Sequence, residues 1–463
     1  MTSIFTQILV ALSALLLLYK LWRKKHRQNS NNLKSAPEPA GAWPLIGHFH
    51  LLGGQVPVYR ILGGLADEYG PVFGLRLGLN KTQVVSSWEA VKDCFTTNDK
   101  ILAKRPTSVA GIYLGYDYAS FGFADGPYWR EVRKLALQEL LSPRRLEMLK
   151  HVRESEIHSG IKELYKEHSG KVVDIDEWLD QITSNMITMM IAGKRYTNGT
   201  QGVESTVEVR SVREHIKEFM YVLGKFIVAD AFPFPPFSWI DYQGHIKSMK
   251  RITKGLSTIF ERWINEHSTR GRESSLKNGQ DFIDVMLSTV DDRFTRFGHT
   301  RETIIKATVS AIVKEALRLY PPGPLAVPHE AMEDCCVGGY HVPKGTRVMF
   351  NLWKLHRDPR MWEEPNSFVP ERFLTSHADV EYTGQNYEFI PFGSGRRSCP
   401  GITFAMQVAH LTLARLLQGF DLTTPFNAPV DMTEGLGVNL PKATPLKVVI
   451  TPRMSSGLYH NQE

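Results

Sequence analysis

The sequence predicts a mainly α-helical protein with small β-sheets, arranged as one large domain behind an N-terminal transmembrane anchor. Three observations lead to this prediction. A long apolar run stands at the start of the 463-residue chain, apolar residues recur at helical spacing along most of the remainder, and only two short regions have a strand-like pattern. With 42% hydrophobic and 22% charged residues, the chain has the composition of an ordinary globular protein.

Residues 1–22 are predicted to form the anchor, because the run IFTQILVALSALLLLYKLW at 4–22 carries no charge before Lys20. About 19 helical residues span roughly 29 Å, close to the thickness of a bilayer core. Basic residues follow at 23–27 and none precedes the run, so the positive-inside rule predicts a cytosolic body. The alternative is a cleaved signal peptide. It is disfavoured, because it requires a basic segment before the run and a small-residue cleavage site after it, and the sequence has neither.

Residues 23–44 are predicted to be a basic, proline-rich linker, and residues 45–463 to form the single domain. Pro37, Pro39 and Pro44 stiffen the linker, because proline fixes the backbone angle φ. No comparable break follows along the chain, so no further domain boundary is expected.

Within the body, residues 72–77 and 82–86 are predicted to form a hairpin that turns at 78–81. A second strand region is predicted at 337–352, with its turn at Lys344 and Gly345. Helical spacing predicts helices at 128–141, 145–168, 176–192, 207–228, 245–267, 300–320 and 401–418.

Charge and cysteine usage exclude several classes of protein. The 55 basic and 48 acidic residues give a net charge of +7 that is spread along the chain, so no nucleic-acid-binding surface is indicated. The four cysteines have neither the regular spacing of a disulfide framework nor that of a zinc ribbon. This usage is typical of a reducing compartment.

The segment FGSGRRSCPG at 392–401 is the most informative part of the chain. Its glycines permit a loop that other residues could not follow, and Pro400 suits the first turn of the helix expected after it. Cys399 is therefore placed at a helix N-terminus beside Arg396 and Arg397. The helix dipole and both guanidinium groups favour the thiolate form of its side chain.

Three environments for the Cys399 thiolate can be compared. A zinc site is disfavoured, because Cys335 and Cys336 are adjacent, lack CxxC spacing and lie far away in the chain. A small buried cysteine before a helix is the simpler structural reading for an isolated residue. A single thiolate in a loop rich in glycine and arginine instead suits axial ligation of haem iron.

The loop resembles the cytochrome P-450 signature FxxGxRxCxG at every fixed position. Glu315 and Arg318 resemble the ExxR motif of that family, and PERF at 370–373 resembles a further family element. The resemblance implies a cytochrome P-450 fold in which Glu315, Arg318 and Arg372 form a buried ion network behind the cysteine loop. Without it, Glu315 and Arg318 would be read as a surface i,i+3 pair.

The resemblance also implies heme b (iron protoporphyrin IX) as the cofactor, with Cys399 as the iron ligand. Trp129 and Arg133 match the WxxxR helix that holds one propionate, and Arg397 matches the signature arginine that faces the other. His329 stands where the family often has a further propionate partner. NADPH-cytochrome P-450 reductase is the implied electron donor, and the endoplasmic reticulum membrane is the implied location.

One family element is missing from the chain. Members of the family normally carry a long helix with small residues followed by an acid and a threonine, and no such motif occurs here. The resemblance implies an internal deletion of roughly sixty residues near 309–310, where the start of that helix runs directly into the ExxR helix. The pair Glu302 and Thr303 is no substitute, because Arg301 precedes it. No catalytic acid–alcohol pair is therefore assigned.

Three functions follow from the resemblance. The first is a membrane-bound monooxygenase that hydroxylates a small lipophilic plant secondary metabolite with O₂ and electrons from NADPH, in a form that the deletion impairs. The second is a haem enzyme that rearranges or dehydrates its substrate. The third is a non-catalytic, membrane-tethered splice variant or truncated gene product that binds haem poorly.

The family also indicates where partners would bind. Substrate is expected to contact residues 107–124, 220–240, 325–328 and 434–440. The apolar FPFPPF run at 232–237 is either a packed corner or a membrane-dipping lid beside an entrance. A basic face is either a docking site for an acidic reductase or a solvated surface; its residues are Arg130, Lys134, Arg144, Arg145 and Arg396.

Overall fold

A computed structural model describes most of the predicted domain. The described residues are 34–192, 214–225, 227–235, 241, 243–269, 312–456 and 459. The predicted anchor, residues 23–33 of the predicted linker and the predicted deletion point at 309–310 lie outside them. Among the described residues, no helix combines the length and the apolar character that a bilayer crossing requires.

Helices dominate the described chain and confirm the predicted mainly helical class. A π-helical turn, Ala136–Leu140, follows α4, and the cysteine loop contains a short 3-10 turn, Gly395–Arg397. The α-helices are α1 (Val58–Tyr69), α2 (Trp88–Phe95), α3 (Val109–Tyr113), α4 (Gly126–Leu135), α5 (Pro143–Met148), α6 (Lys150–His168), α7 (Ile175–Ala192), α8 (214–223), α9 (Val228–Ala231), α10 (His245–Thr269), α11 (312–319), α12 (Leu352–Leu355) and α13 (Ile402–Gly419).

Three small sheets accompany the helices. The largest has the order β1-β2-β7-β4, with β2 and β7 parallel and the other neighbours antiparallel. A second antiparallel sheet has the order β3-β9-β8, and β5 pairs with β6 alone. The strands are β1 (Val72–Leu77), β2 (Asn80–Val85), β3 (Val172–Asp174), β4 (His329–Glu330), β5 (Cys335–Val337), β6 (Tyr340–Val342), β7 (Arg347–Phe350), β8 (Phe420–Thr423) and β9 (Lys447–Pro452).

The hairpin predicted from residue 72 is confirmed by β1 and β2, whereas the second strand region differs from the prediction. The predicted turn at Lys344 and Gly345 is present between β6 and β7, and a further turn that was not predicted lies at Gly338 and Gly339, whose φ angles are +56° and +79°. Two consecutive left-handed residues make a tight hairpin turn, which glycine adopts without steric cost. The later pair instead leads from β6 into β7, a strand of another sheet.

The described part of the predicted linker lies against the sheets. The carbonyl of Lys34 accepts a hydrogen bond from the amide of His341 at 2.9 Å, and the carbonyl of Pro37 accepts one from Gly74 at 2.8 Å. These bonds cover polar groups at the edges of β6 and β1. Residues 34–37 are thus held to the body by backbone contacts.

Two apolar clusters flank the region of the cysteine loop. One packs α2 and the main sheet against Leu102 and Ile390. The other packs α6, α7, α13 and the second sheet together, with Trp178 and Leu416 among its members. Burying a large apolar side chain stabilises a fold by about 1.5–3 kcal/mol, so these clusters form a rigid frame on both sides of the loop.

Two helical glycines predict opposite effects of the same substitution. A Cβ on Gly160 in α6 would overlap the Ile182 side chain of α7, whereas a Cβ on Gly64 in α1 would meet no atom within 4 Å. We expect Gly160→Ala to lower the free energy of unfolding by about 1–3 kcal/mol through overpacking. We expect Gly64→Ala to raise it by about 1 kcal/mol through helix propensity. Urea denaturation of the detergent-solubilised full chain measures both free energies of unfolding. Equal changes in the two variants would contradict the close packing of Gly160 against Ile182.

Candidate functional site

Two left-handed glycines shape the cysteine loop. Gly393 and Gly395 have φ angles of +72° and +64°, which other residues adopt only with strain. The Cys399 amide donates a hydrogen bond to the Phe392 carbonyl at 2.9 Å and closes the loop. The Cys399 side chain is exposed and its thiol is free, so it is open to a ligand.

The helix after the loop begins one residue later than predicted. Gly401 is its N-cap and Ile402 its first residue. Pro400 therefore precedes the cap and does not occupy the first helical turn. The predicted order of loop, cysteine and helix is otherwise confirmed.

Arg397 lies over the indole of Trp129 at the start of α4. Its guanidinium carbon is 3.9 Å from the ring centroid, within the range of a cation–π contact. The same group donates to the carbonyls of Ala103 at 2.6 Å and Ala124 at 2.9 Å, and to the Asp125 carboxylate at 2.9 Å. Burial lowers the pKa of Arg397 to about 10, although Asp125 acts to raise it.

Arg133 approaches the same indole from the next turn of α4. Its guanidinium carbon is 5.6 Å from the Trp129 ring centroid. It donates to the Ser398 carbonyl at 3.0 Å, directly before the cysteine. Burial lowers the pKa of Arg133, while the neighbouring Cys399 acts to raise it.

A third guanidinium, that of Arg105, stands beside Arg397. It donates to the carbonyls of Val327 and Pro328 at 2.8 and 3.0 Å. Burial and the charge of Arg397 lower the pKa of Arg105 to about 9. Its Nε is buried and finds no hydrogen-bond partner among the described residues. The motifs did not identify Arg105, since its only local mark is the Arg-Pro pair at 105–106.

His329 is buried between two aromatic rings. Its ring centroid lies 5.7 Å from that of Phe95 and 5.3 Å from that of Phe350. Burial and the charge of Arg105 lower its pKa to about 3, so the imidazole is neutral at pH 7. Its Nδ1 lies 2.5 Å from the Leu102 carbonyl and therefore carries the proton. A second proton on Nε2 is needed before this ring can donate to an anion.

The second group of predicted residues forms a buried ion cluster. The Arg318 guanidinium donates two 2.8 Å bonds to the Glu315 carboxylate, and both side chains have no exposed surface. Arg372 donates to the same carboxylate at 3.3 Å. The Val369 amide adds a further bond at 2.9 Å. The three side chains are thus brought together as one paired unit.

The ion cluster connects to the cysteine loop through His356. Arg318 donates to the His356 carbonyl at 2.9 Å, and the His356 ring accepts a bond from the Ile390 amide at 3.1 Å. The Ile390 carbonyl then accepts the Gly393 amide at 2.9 Å. Burial, followed by the charges of Arg357 and Arg318, lowers the pKa of His356 to about 3. This link was not predicted, since no motif marks His356.

The predicted site residues therefore fall into two groups. Trp129, Arg133, Arg397 and Cys399 meet around the cysteine loop, and His329 joins them through the adjacent carbonyls of residues 102 and 103. Glu315, Arg318 and Arg372 lie behind the loop. Among the described residues, no group of three or more His, Cys, Asp and Glu could hold a metal ion.

Comparison with known proteins assigns the family. The cytochrome P-450 family model matches residues 37–310 and 307–448. The chain belongs to the cytochrome P-450 family. Its relatives in this family include vinorine hydroxylase of Rauvolfia serpentina, which is 52% identical over 98% of this chain and 99% of that protein. Cytochrome P-450 proteins are monooxygenases that bind heme b through a cysteine thiolate.

Two further cytochrome P-450 relatives come from other plants. A nicotine N-demethylase of Nicotiana tomentosiformis is 44% identical over 96% of this chain and 97% of its own length. A xanthotoxin 5-hydroxylase of Arabidopsis thaliana is 45% identical over 92% of this chain and 94% of its own length. The family generally uses a redox partner and acts on small substrates.

The residues around the loop fit the haem that cytochrome P-450 proteins bind. Cys399 offers an exposed thiol. Arg105, Arg133 and Arg397 carry three positive charges; beyond burial, Arg397 lowers the pKa of Arg105 and Arg133 lowers the pKa of Arg397, and among the described residues the Asp125 carboxylate pairs with Arg397. An excess of buried guanidinium charge suits a group with two carboxylates. The unpartnered Nε of Arg105 is one of the donors such a group could use.

The Glu315 cluster predicts a large stability effect for a cytochrome P-450 variant that loses one charge. We expect Glu315→Gln to lower the free energy of unfolding by about 3–5 kcal/mol, because two buried guanidiniums lose their carboxylate. Glu89 pairs with Arg360 on the surface, where both side chains are about half exposed. Glu89→Gln is the matched control and should cost less than about 1 kcal/mol. Comparable losses in urea denaturation of both variants would contradict the burial argument.

The buried side chains of His329 and His356 predict acid sensitivity. Their pKa values of about 3 lie below the ordinary value of about 6.5. The folded protein therefore binds fewer protons than the unfolded chain below pH 6.5. Its stability is full above that pH, and each histidine removes about 1.4 kcal/mol per pH unit on acidification toward pH 3.

Urea denaturation between pH 7.5 and 5.5 measures this loss. We expect His356→Gln to remove about half of the pH dependence that His329 and His356 together contribute. An unchanged pH dependence in this variant would show that the His356 imidazole is not buried in its neutral form.

Proposed function

We propose that this chain is a haem-thiolate monooxygenase that hydroxylates a small lipophilic plant secondary metabolite, using O₂ and electrons from NADPH. The observation that carries the proposal is the exposed Cys399 thiol beside three clustered guanidiniums. When bound, haem supplies the oxygen chemistry, and thiolate donation favours cleavage of the O–O bond. NADPH-cytochrome P-450 reductase is the proposed electron donor.

The protein's own residues have separate tasks in this proposal. Cys399 binds the iron, and its loop is fixed from behind by the paired Glu315 cluster. Arg105, Arg133 and Arg397 neutralise the propionates. Trp129 keeps two of these guanidiniums in place through its ring. His329 is assigned to the same wall and donates to a propionate only when doubly protonated.

Contacts among the proposed substrate regions support a common pocket. Apolar residues of 107–124 and 220–231 pack in one cluster that includes Leu114 and Val222. Gly224 lies so close to Val438 that a Cβ there would overlap its backbone. Two relatives carry small molecules in their names, vinorine and nicotine. A compact lipophilic substrate is the class that such a pocket would accept.

The proposed location is the endoplasmic reticulum membrane, with a single span at residues 1–22 and the catalytic body in the cytosol. The apolar run and the basic residues after it support this placement. The FPFPPF loop follows α9, and of its two described rings Phe232 is buried and Phe234 is 42% exposed. The exposed Phe234 ring supports the membrane-dipping lid, and the buried Phe232 ring supports the packed corner.

The structure describes three of the five side chains of the proposed reductase-docking face. Arg130 and Lys134 are exposed on α4. Arg396 is also exposed, and its side chain pairs with Asp99 at 2.9 Å. The side chains of Arg144 and Arg145 lie outside what the structure describes.

A deletion near 309–310 is proposed to impair this chain. Two facts support it. The two family matches meet at residues 307–310, and the alignment with the nicotine N-demethylase runs over 509 positions, more than the 463 residues available here. These facts favour a second candidate function, a non-catalytic, membrane-tethered splice variant or truncated gene product that binds haem poorly.

The carbon-monoxide difference spectrum of the reduced protein tests these functions. We expect the purified chain to show a thiolate-type Soret band, and Cys399→Ser to abolish it by removing the iron ligand. Cys336→Ser, at an exposed cysteine of β5, is the control and should keep the band. Absence of haem from the wild-type chain would support the non-catalytic candidate. A normal band in Cys399→Ser would refute the assigned ligand.

A further inference from the structure

A turn between α2 and α3 contacts the cysteine loop at three successive residues. We propose that Asp99, in this turn, is a positioning residue that fixes the geometry of the Cys399 thiolate toward iron. The proposal rests on the proposed haem-thiolate function and extends it to a residue that no motif marked.

Asp99 binds the loop with both carboxylate oxygens. Its Oδ1 accepts the Arg396 backbone amide at 3.0 Å, and its Oδ2 accepts the Arg396 Nε at 2.9 Å. A Cβ on Gly395 would overlap Oδ1, so only glycine at this position lets the carboxylate approach. The bond to the amide constrains the backbone itself, three residues before the cysteine.

The turn that carries Asp99 is itself fixed to the body. The Asn98 side-chain amide donates to the Cys336 carbonyl at 2.7 Å and to the Asp93 carbonyl at 3.2 Å. Asn98 is buried, and its carbonyl accepts the Leu102 amide at 2.8 Å. Asp99 therefore projects from a rigid support on the wall formed by α2 and β5.

The same segment holds the next loop residue as well. Four residues after Asp99, the Ala103 carbonyl accepts the Arg397 Nε at 2.6 Å. Consecutive loop residues, Arg396 and Arg397, are thus bound by one short segment. Two fixed points define both the position and the direction of a loop that contains two left-handed glycines.

The carboxylate matters because it binds a backbone amide of a loop that contains two left-handed glycines. Glycines have the largest conformational freedom to lose, and the Glu315 cluster reaches only the opposite end of the loop, through Ile390. Groups that orient a metal ligand without touching the metal typically change metal affinity by 10–100-fold when removed. Asp99 occupies that position relative to Cys399.

The side-chain ion pair between Arg396 and Asp99 differs in strength from the bond to the Arg396 amide. The Arg396 side chain is 51% exposed and the Asp99 side chain 21%, so their ion pair alone contributes little. The amide bond is the contact expected to control the loop. Arg396→Gln removes the pair and keeps the amide bond, whereas Asp99→Asn weakens both.

Asp93→Asn provides a matched control. Asp93 is six residues earlier, on α2, and its carboxylate accepts the Gly338 amide at 3.1 Å. It thus makes the same type of bond to a β-hairpin and not to the cysteine loop. Any general cost of exchanging an acid for an amide in this region should appear equally in both variants.

The test measures haem affinity and the carbon-monoxide difference spectrum of full-length wild type and the three variants. We expect Asp99→Asn to weaken haem retention about tenfold and to lower the thiolate-type fraction of the Soret band. Arg396→Gln should have a smaller effect, and Asp93→Asn should match wild type. If Asp99→Asn keeps wild-type affinity and spectrum, or if Asp93→Asn changes them equally, the proposal is overturned while the proposed function stands.

A second measurement decides the proposal if the wild-type chain takes up no haem, a result that would refute the proposed function. Hydrogen exchange of the peptide spanning 392–401 is then compared between variants. We expect Asp99→Asn to accelerate exchange of the Arg396 amide about tenfold, and Asp93→Asn to leave it unchanged. Equal exchange in wild type and Asp99→Asn would overturn the positioning role.

Discussion

The pairing of one fully buried carboxylate with two guanidiniums is the constraint on which the rest of the structure depends. Glu315 has no exposed surface, and a buried charge is tolerated only when it is paired and hydrogen-bonded. Its bonds to Arg318, Arg372 and the 369 amide fix α11 against the segment that follows α12. Because Arg318 also binds the His356 carbonyl, that constraint extends to the cysteine loop.

On the side of the loop that faces Trp129, the buried charges are not balanced. Around Trp129, positive groups are gathered with too little negative charge, and burial together with a neighbouring guanidinium lowers the pKa of Arg105 and of Arg397. Such an arrangement is costly in the protein alone and becomes favourable when an anionic ligand supplies the missing charge. The balanced Glu315 cluster therefore stabilises the fold behind the loop. The unbalanced guanidinium cluster near Trp129 instead favours binding of an anionic group.

Sequence patterns anticipated the helical class, the first hairpin and the residues gathered at the site, because these depend on local periodicity or on motifs. Arg105, Asp99 and His356 escaped prediction for a physical reason. Each acts through a contact with a distant segment; for Asp99 and Arg396 the separation is 297 positions. The turn at Gly338 was not predicted, because the pairing of β5 with β6 alone, which defines it, is a tertiary feature.

The parallel pairing of β2 with β7 joins residues 82–85 to residues 347–350. The wall that frames the cysteine therefore cannot close until synthesis has passed residue 350, about three quarters of the chain, and contacts of such long range form slowly. Conversely, the entropy of closing so large a loop changes little with its length, by about 0.6 kcal/mol per doubling. Gain or loss of residues within the intervening stretch therefore changes the closure entropy of this strand pairing only slightly.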